Sequence, residues 1–331
     1  MNHAWVTGAG GFVGRHLALR LLGEGCRVTC LVRSENPGVE ELRKAGANIV
    51  PGDLENPEKF GKSLEGVDWV FHLAAAYRDG GTSSDSFQRI NVNATGALLD
   101  LAAGAGIKRF VYCSTVGVHG DCKNKLLDEQ APFAPHEEYG RSKVLAEKLI
   151  RRRASDLGLD TVIIRPVGVY GPGDWRLAKL FSGISGRRFF LIGNGRNRYH
   201  LTYIDDLVEA FWLAANSPAA AGQTYIIGGE DVPTTAELCR EVSRQLNVPL
   251  WPLRLPYWPV YLLAWVCESL CRPLGISPPL FRRRLDFFSK SRCFDIGKAK
   301  RELGFRAGVS IREGVEKTIE WYRKTGILPK M

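Results

Sequence analysis

At 331 residues, with 45% hydrophobic and 24% charged residues, the chain has the composition of a folded protein able to bury a large core, which excludes a disordered or fibrous chain. The formal net charge of +10 is spread over short separate groups, Arg151 to Arg153, Arg187–Arg188 and Arg282 to Arg284. Solvated faces account for such groups, and nucleic acid is not an expected partner.

The eight cysteines show neither a paired CxxC spacing nor a cluster with histidine. They read as reduced cytosolic thiols, mostly buried, and no metal is expected. Met1 leads straight into an apolar strand without room for the parts of a signal peptide, so a cytoplasmic location is expected. No Ser/Pro-rich linker or internal repeat marks a boundary, which predicts one continuous body with an appended lobe.

His3 to Thr7 (HAWVT) is a short apolar run, followed at once by Gly8-Ala9-Gly10-Gly11-Phe12-Val13-Gly14 and then by Leu17, Leu21 and Leu22 at helical spacing. This is strand, glycine turn, helix. Gly8 permits the tight turn, Gly11 lets the backbone approach a pyrophosphate, and Gly14 lets the helix pack closely on the strand. The helix N-terminus then offers free N–H groups and a positive dipole end to the phosphates.

The second strand, Arg27 to Val32, ends where an acidic side chain would hold the ribose 2′-hydroxyl of NAD. Val32 offers that hydroxyl nothing, whereas the neighbouring Arg33 can pair with a 2′-phosphate. NADP(H) is the favoured cofactor, with NAD(H) as the alternative. A third strand near Asn48 to Val50 precedes Gly52-Asp53-Leu54, and a fourth, Trp69 to Leu73, runs into Ala74-Ala75-Ala76. Strands alternating with helices predict an α/β fold with a Rossmann-type doubly wound parallel sheet. Asp53 is placed to accept a hydrogen bond from the adenine amino group, and the small residues after the fourth strand leave room for cofactor contact. His72 is read as a core or strand-end residue without chemistry.

The fifth strand, Arg109 to Cys113, ends in Ser114-Thr115, and a helix beginning near Glu138 carries Tyr139-Gly140-Arg141-Ser142-Lys143. Tyr and Lys four apart share one helix face. A free phenol is a poor proton donor or acceptor at neutral pH, and a nearby ammonium together with an oxidised nicotinamide favours the phenolate. Tyr139 can thus shuttle the proton while a hydride crosses to or from the ring. Lys143 would hydrogen-bond the nicotinamide ribose, and the Thr115 hydroxyl would hold the substrate oxygen.

In this order, TGAGGFVG, GDL, HLAAA, NVNATG, VYCSTVGVHG, YGRSK and RPVGVYGPGD resemble the extended short-chain dehydrogenase/reductase family, and the likeness covers nearly the whole chain. The resemblance implies that Thr115, Tyr139 and Lys143 are catalytic and that Gly8, Gly11, Gly14, Asp53 and Ala74 line the cofactor site. Phe12, Val13, Arg33, Leu54, Ala75, Ser114, Tyr139, Lys143, Pro166 and Val169 complete the expected cofactor contacts. Asn91 matches the family's helix asparagine, which supports the active-site backbone. Arg165-Pro166 ends the sixth strand, so the expected domains are 1–166, with segments near 199–216 returning to it, and a smaller, mainly helical substrate lobe over 167–331. The family often dimerises through the helices carrying Asn91 and Tyr139, which makes a homodimer an expectation.

Family members acting on nucleotide-sugars place an Asn just before VYGP and an Arg seven residues before the Asp matching Asp206. Here these positions hold Gly168 and Tyr199, with Arg196 and Arg198 close by. Val116-Gly117 replaces the Asp-Glu pair of the dehydratases. RPVGVYGPGD followed by GRNRYHLTYIDDLVEA looks instead like the 3β-hydroxysteroid dehydrogenase and dihydroflavonol-reductase-like branch, which handles apolar alcohols and ketones. The leading expectation is a dehydrogenase or reductase of a sterol-like or lipid-like small molecule. The alternatives are a nucleotide-sugar epimerase that retains its cofactor and a non-catalytic NADP(H)-sensing protein.

Leu255 to Val266 is dense in aromatic and aliphatic side chains and suits a flat hydrophobic ligand. This run is too short to span a bilayer. It reads either as a core helix capping the substrate pocket or, with Arg272 and Arg282 to Arg284 after it, as a peripheral membrane contact within 256–284. Cys267 and Cys271, one turn apart, read as packing residues. In the closing segment, Phe294 to Phe305 resembles the family helix that folds back across the domain junction, and Ile311, Val315, Ile319 and Tyr322 continue at helical spacing.

Overall fold

The structure, a computed structural model, describes residues 1–77, 84–123, 125–271, 276 and 278–329. Arg272 lies outside the described residues. The first half of the chain alternates strand and helix: β1 (His3–Thr7), α1 (Phe12–Gly23), β2 (Arg27–Val32), α2 (Pro37–Lys44), β3 (Asn48–Pro51) and β4 (Trp69–His72). A three-residue helix α3 (Ser84–Ser86), a π-helical turn over Phe87–Asn93 and α4 (Ala94–Gly104) follow, then β5 (Arg109–Cys113), α5 (Glu138–Leu157) and β6 (Thr161–Pro166).

These six strands and a later one, β10 (Thr224–Ile227), form a seven-stranded sheet in the order β10-β6-β5-β4-β1-β2-β3, every pairing parallel. Side chains alternate across the sheet with the strand period of two. Ala4, Val6, Phe71, Val111, Val162 and Ile164 enter the core on one face, whereas Trp5, Val70, Phe110, Tyr112 and Ile163 enter the core on the other. A parallel sheet covered on both faces is buried on both, which explains why β1 and β6 are buried throughout. Leu98, Leu99 and Ala102 of α4 and Ala146 and Ile150 of α5 close the second face. Leu17 and Leu21 of α1, with the later helix α7 (Ile204–Asn216), close the first.

The chain winds from β1 outward to β3 and then restarts on the other side of β1 with β4. The carboxyl ends of β1 and β4 therefore border the crevice where open parallel sheets bind ligands.

Beyond β6 the chain leaves the sheet through β7 (Gly168–Tyr170), α6 (Ala178–Ser185), β8 (Leu191–Ile192) and β9 (Leu201–Tyr203), with β7 and β9 paired in parallel. After α7 and β10 come α8 (Thr235–Leu246), β11 (Arg254–Leu255), paired with β8, α9 (Tyr257–Cys271) and α10 (Asp286–Ser289). The helices α11 (Gly297–Leu303) and α12 (Ile311–Lys324) return across the junction. Val315, Ile319 and Tyr322 are buried at their helical spacing, and the Tyr322 hydroxyl donates to the Asp174 carbonyl at 2.7 Å. The sheet thus takes its last strand from far beyond residue 166, as the covalent order alone does not reveal.

Candidate active site

The β1–α1 turn is fitted for close backbone approach. Gly8 has φ +69°, and a Cβ there would stand 2.8 Å from the Ala74 nitrogen. A Cβ at Gly14 would lie 2.2 Å from the Gly8 carbonyl oxygen. Only glycines allow the strand end, the turn and the helix start to pack this tightly. No side chain caps α1 and its first turn holds no acidic residue, so the leading amides and the positive dipole end face the crevice. This cradle fits a dinucleotide diphosphate. Phe12 and Val13 are half-buried in that first turn, the Phe12 ring edge-on to His16 at 5.3 Å.

Ala74 and Ala75 lie opposite, at the end of β4. The Thr7 hydroxyl oxygen accepts from the amides of Leu73 and Ala74, at 3.0 and 2.9 Å, and so ties the two strand ends together. His72 is fully buried between the Thr7 and Thr95 hydroxyls, and burial pushes its imidazole down to about 3. Arg33 is exposed just past β2. Asn36, three residues on, caps α2 through the amides of Gly38 and Val39 and donates to the Gly10 carbonyl at 3.4 Å. Asp53 is half-buried after β3, its carboxylate accepting from the Glu55 amide, while the Leu54 side chain is buried in the second core, leaving only its backbone for a ligand.

The helix bearing Tyr139 is fixed from three sides. Asn91 is buried; its amide group exchanges hydrogen bonds with both backbone groups of Ala76 (2.7 and 3.1 Å) and donates to the Ser142 hydroxyl at 2.9 Å. It sits in the π-helical turn, a backbone irregularity that turns the side chain inward. A Cβ on Gly140 would stand 3.0 Å from the Gly117 carbonyl, so the turn capped by Thr115 lies directly against the first turn of α5. Finally, Lys143 donates to the Cys113 carbonyl at 2.8 Å and to the Tyr112 hydroxyl at 3.1 Å.

Lys143 is buried and faces Tyr112 rather than Tyr139, whose ring centroid is 5.9 Å from Nζ. Burial pushes its ammonium down to about 8, against the opposing pull of Cys113 and Glu147. Tyr139 is half-buried, with the ring of Tyr77 edge-on at 4.9 Å. Burial, then the neighbouring Cys113 and Tyr77, hold its phenol well above the ordinary value, with Arg176 opposing. Among the chain's own groups these influences favour the protonated phenol, the form that can donate a proton. Thr115 accepts from the Gly117 amide at 3.0 Å, which leaves its own O–H without an acceptor among the described residues.

Ser114 is turned away from the crevice. Its hydroxyl donates to Glu147 at 2.5 Å, and Glu147 is held by Arg165 through contacts of 2.9 and 2.5 Å, with both charges fully buried. Any cofactor contact from Ser114 therefore comes from its backbone. Pro166, the last residue of β6, and Val169 of β7 are both buried. The structure thus gathers the glycine turn, Ala74, Thr115, Tyr139 and Lys143 at one carboxyl edge of the sheet, while Arg33 and Asp53 lie at its β2–β3 end.

Tyr112, Tyr77, Arg176 and the Glu147–Arg165 pair are missed by motif reading. Only Tyr112 leaves a signal, because strand alternation puts it on the face that α5 covers. Among the described residues no cluster of His, Cys, Asp or Glu could hold a metal, and all eight cysteines are free.

A parallel sheet with this crevice, a side-chain-free glycine cradle and an adjoining Tyr/Lys helix defines a Rossmann-type enzyme that works with a nicotinamide dinucleotide. Residues 4–228 match the model of the NAD dependent epimerase/dehydratase family, and the chain belongs to that family. It is 32% identical to a 2-alkyl-3-oxoalkanoate reductase of Stenotrophomonas maltophilia, over 94% of this chain and 97% of that protein. It is 29% identical to 3beta-hydroxysteroid-dehydrogenase/decarboxylase isoform 1 of Arabidopsis thaliana, over 95% and 78% respectively. The crystal structure of gox2253 superposes with a TM-score of 0.83 at 30% identity, covering 99% of this chain and all of that one.

Proposed function

We propose that this protein is an NAD(P)-dependent oxidoreductase that interconverts a hydroxyl and a ketone on a hydrophobic, sterol-like or lipid-like small molecule. The observation that carries the reading is the seating of Thr115, Tyr139 and Lys143 on the same sheet edge as the glycine cradle. The names of the relatives agree, one a reductase of an oxoalkanoate and one a dehydrogenase of a 3beta-hydroxysteroid.

When bound, the nicotinamide supplies or takes the hydride. The rest falls to the chain. The α1 amides hold the diphosphate, the Thr115 hydroxyl donates to the substrate oxygen, and the protonated Tyr139 gives that oxygen its proton. Lys143 would hold the nicotinamide ribose, and its charge favours the Tyr139 phenolate left after proton donation. Asn91 acts only by positioning α5. NADP(H) is the proposed cofactor, because Arg33 stands exposed after β2 with no acidic residue at the strand end. A homodimer through the helical segments carrying Asn91 and Tyr139 is proposed as the assembly; Leu145 and Leu157 of α5 are exposed.

The test is absorbance-monitored oxidation of NADPH and NADH against apolar ketones, with Tyr139→Phe as control. Turnover lost in the variant, with cofactor affinity within a few-fold, supports the assignment; retained turnover refutes it.

A second reading, a nucleotide-sugar epimerase, draws on Arg292. Its guanidinium lies 5.4 Å from the centroid of the Tyr199 ring, bringing a cation to the position where the resemblance expects an arginine. A sugar-nucleotide isomer formed without net change in cofactor would favour it.

A further inference from the structure

We infer that α9, with the arginine-rich segment around it, is a docking face for an anionic lipid bilayer. An ordinary surface helix buries its apolar stripe and exposes its charges. In α9 the arrangement is inverted. Its single charged residue, Glu268, is buried and accepts from the Arg282 amide (2.7 Å) and guanidinium (3.0 and 2.9 Å). Trp258, Leu263 and Leu270 are exposed at 73%, 62% and 65%, beside Leu262, Trp265 and Val266, which are also exposed. Trp251 and Leu253, just upstream, extend the same chemistry. This corrects the expectation of a core helix: only Ala264 and Glu268 of α9 are buried. So large a contiguous apolar patch marks a surface that is covered in use.

The cover is a bilayer rather than a second copy because of the charge that frames the patch. Among the described residues, 251–285 contain four arginines, no lysine and one acidic residue, and that acidic residue is the buried Glu268. Arg254 and Arg284 direct their hydrogen bonds to the Asn194 and Pro279 carbonyls and so keep their full charge. A twofold contact would bring two copies of this positively framed surface together, like charge beside like charge. Anionic headgroups complement it, and tryptophans favour the headgroup level. Fifteen residues at about 1.5 Å each fall short of a hydrocarbon core of about 30 Å, so α9 lies along the interface. Among the described residues no helix is long and apolar enough to cross a membrane. Arg283 pairs with Glu137 at 3.0 Å, two residues before Tyr139, so the docked face adjoins the helix of the proposed active site.

The test is flotation of the full chain with vesicles of phosphatidylcholine alone and of phosphatidylcholine with phosphatidylglycerol in equal parts. Binding to the anionic vesicles is expected to exceed binding to neutral ones by about tenfold and to weaken in high salt. Leu262→Glu with Leu263→Glu should abolish it while leaving circular dichroism and NADPH binding unchanged, and Arg284→Gln should reduce it. No flotation with anionic vesicles overturns the inference. So does a dimer in sedimentation that the two glutamates dissociate. Flotation reads binding without turnover, so its failure is distinct from failure of the proposed reaction.

Discussion

Lys143 donates a 3.1 Å hydrogen bond to the hydroxyl of Tyr112, a fully buried phenol on the strand beneath it. The proposed catalytic lysine is therefore held by β5 as well as by its own helix, with the Cys113 carbonyl as its second partner.

This arrangement sets a pH dependence. Burial brings the Lys143 ammonium down to about 8, so it is charged below that pH and neutral above it. In the proposed mechanism the charge favours the Tyr139 phenolate left after proton donation. Thus kcat/KM for ketone reduction should be level below pH 8 and fall through about pH 8, since this ratio reports the free enzyme. The Tyr112 oxygen accepts from the ammonium and stabilises the charged form, so Tyr112→Phe should move the falling limb to lower pH. A profile that stays in place would show that Tyr112 does not position the lysine.

Gly14→Ala tests the cradle directly. A methyl group 2.2 Å from the Gly8 carbonyl oxygen forces the turn and α1 apart. Cofactor affinity should drop by about two orders of magnitude, near 2.7 kcal/mol, in a fluorescence titration. The overpacking itself should cost about 1–3 kcal/mol in thermal melts.

For cofactor choice the decisive variant is Arg33→Ala. Loss of the guanidinium should weaken NADPH by about tenfold or more while NADH changes little, because only the former carries a 2′-phosphate. Equal losses for both cofactors in parallel binding titrations would remove the basis for preferring NADP(H).

The Glu147–Arg165 pair predicts a stability effect away from the crevice. Arg165→Met leaves the buried Glu147 carboxylate with Ser114 and the more distant Arg151, 3.9 Å away, and should lower urea stability by about 3–5 kcal/mol. Replacing both, with Glu147→Leu added, should recover most of that loss, since the uncompensated charge is then gone. If the double variant is no more stable than the single one, the cost lies in packing instead.

The sequence by itself determined the local pieces. HAWVT, RVTCLV and RFVYC are mostly apolar runs, and each is a strand at the positions the pattern gives, because a strand buried on both faces needs largely apolar side chains in both directions. Gly8 and Gly14 were legible for the same kind of reason: no other residue tolerates the approach of backbone at that turn. The joining of β10 to the sheet, the turning of Ser114 away from the crevice and the engagement of Lys143 by Tyr112 were decided only by tertiary structure. Each depends on partners brought from distant parts of the chain, and no local pattern records them. The outward face of α9 is the clearest case. Its run of apolar residues reads equally as core or as surface, and only the packing that buries Glu268 with Arg282 and leaves Trp258 and Leu263 outside shows which side meets the solvent.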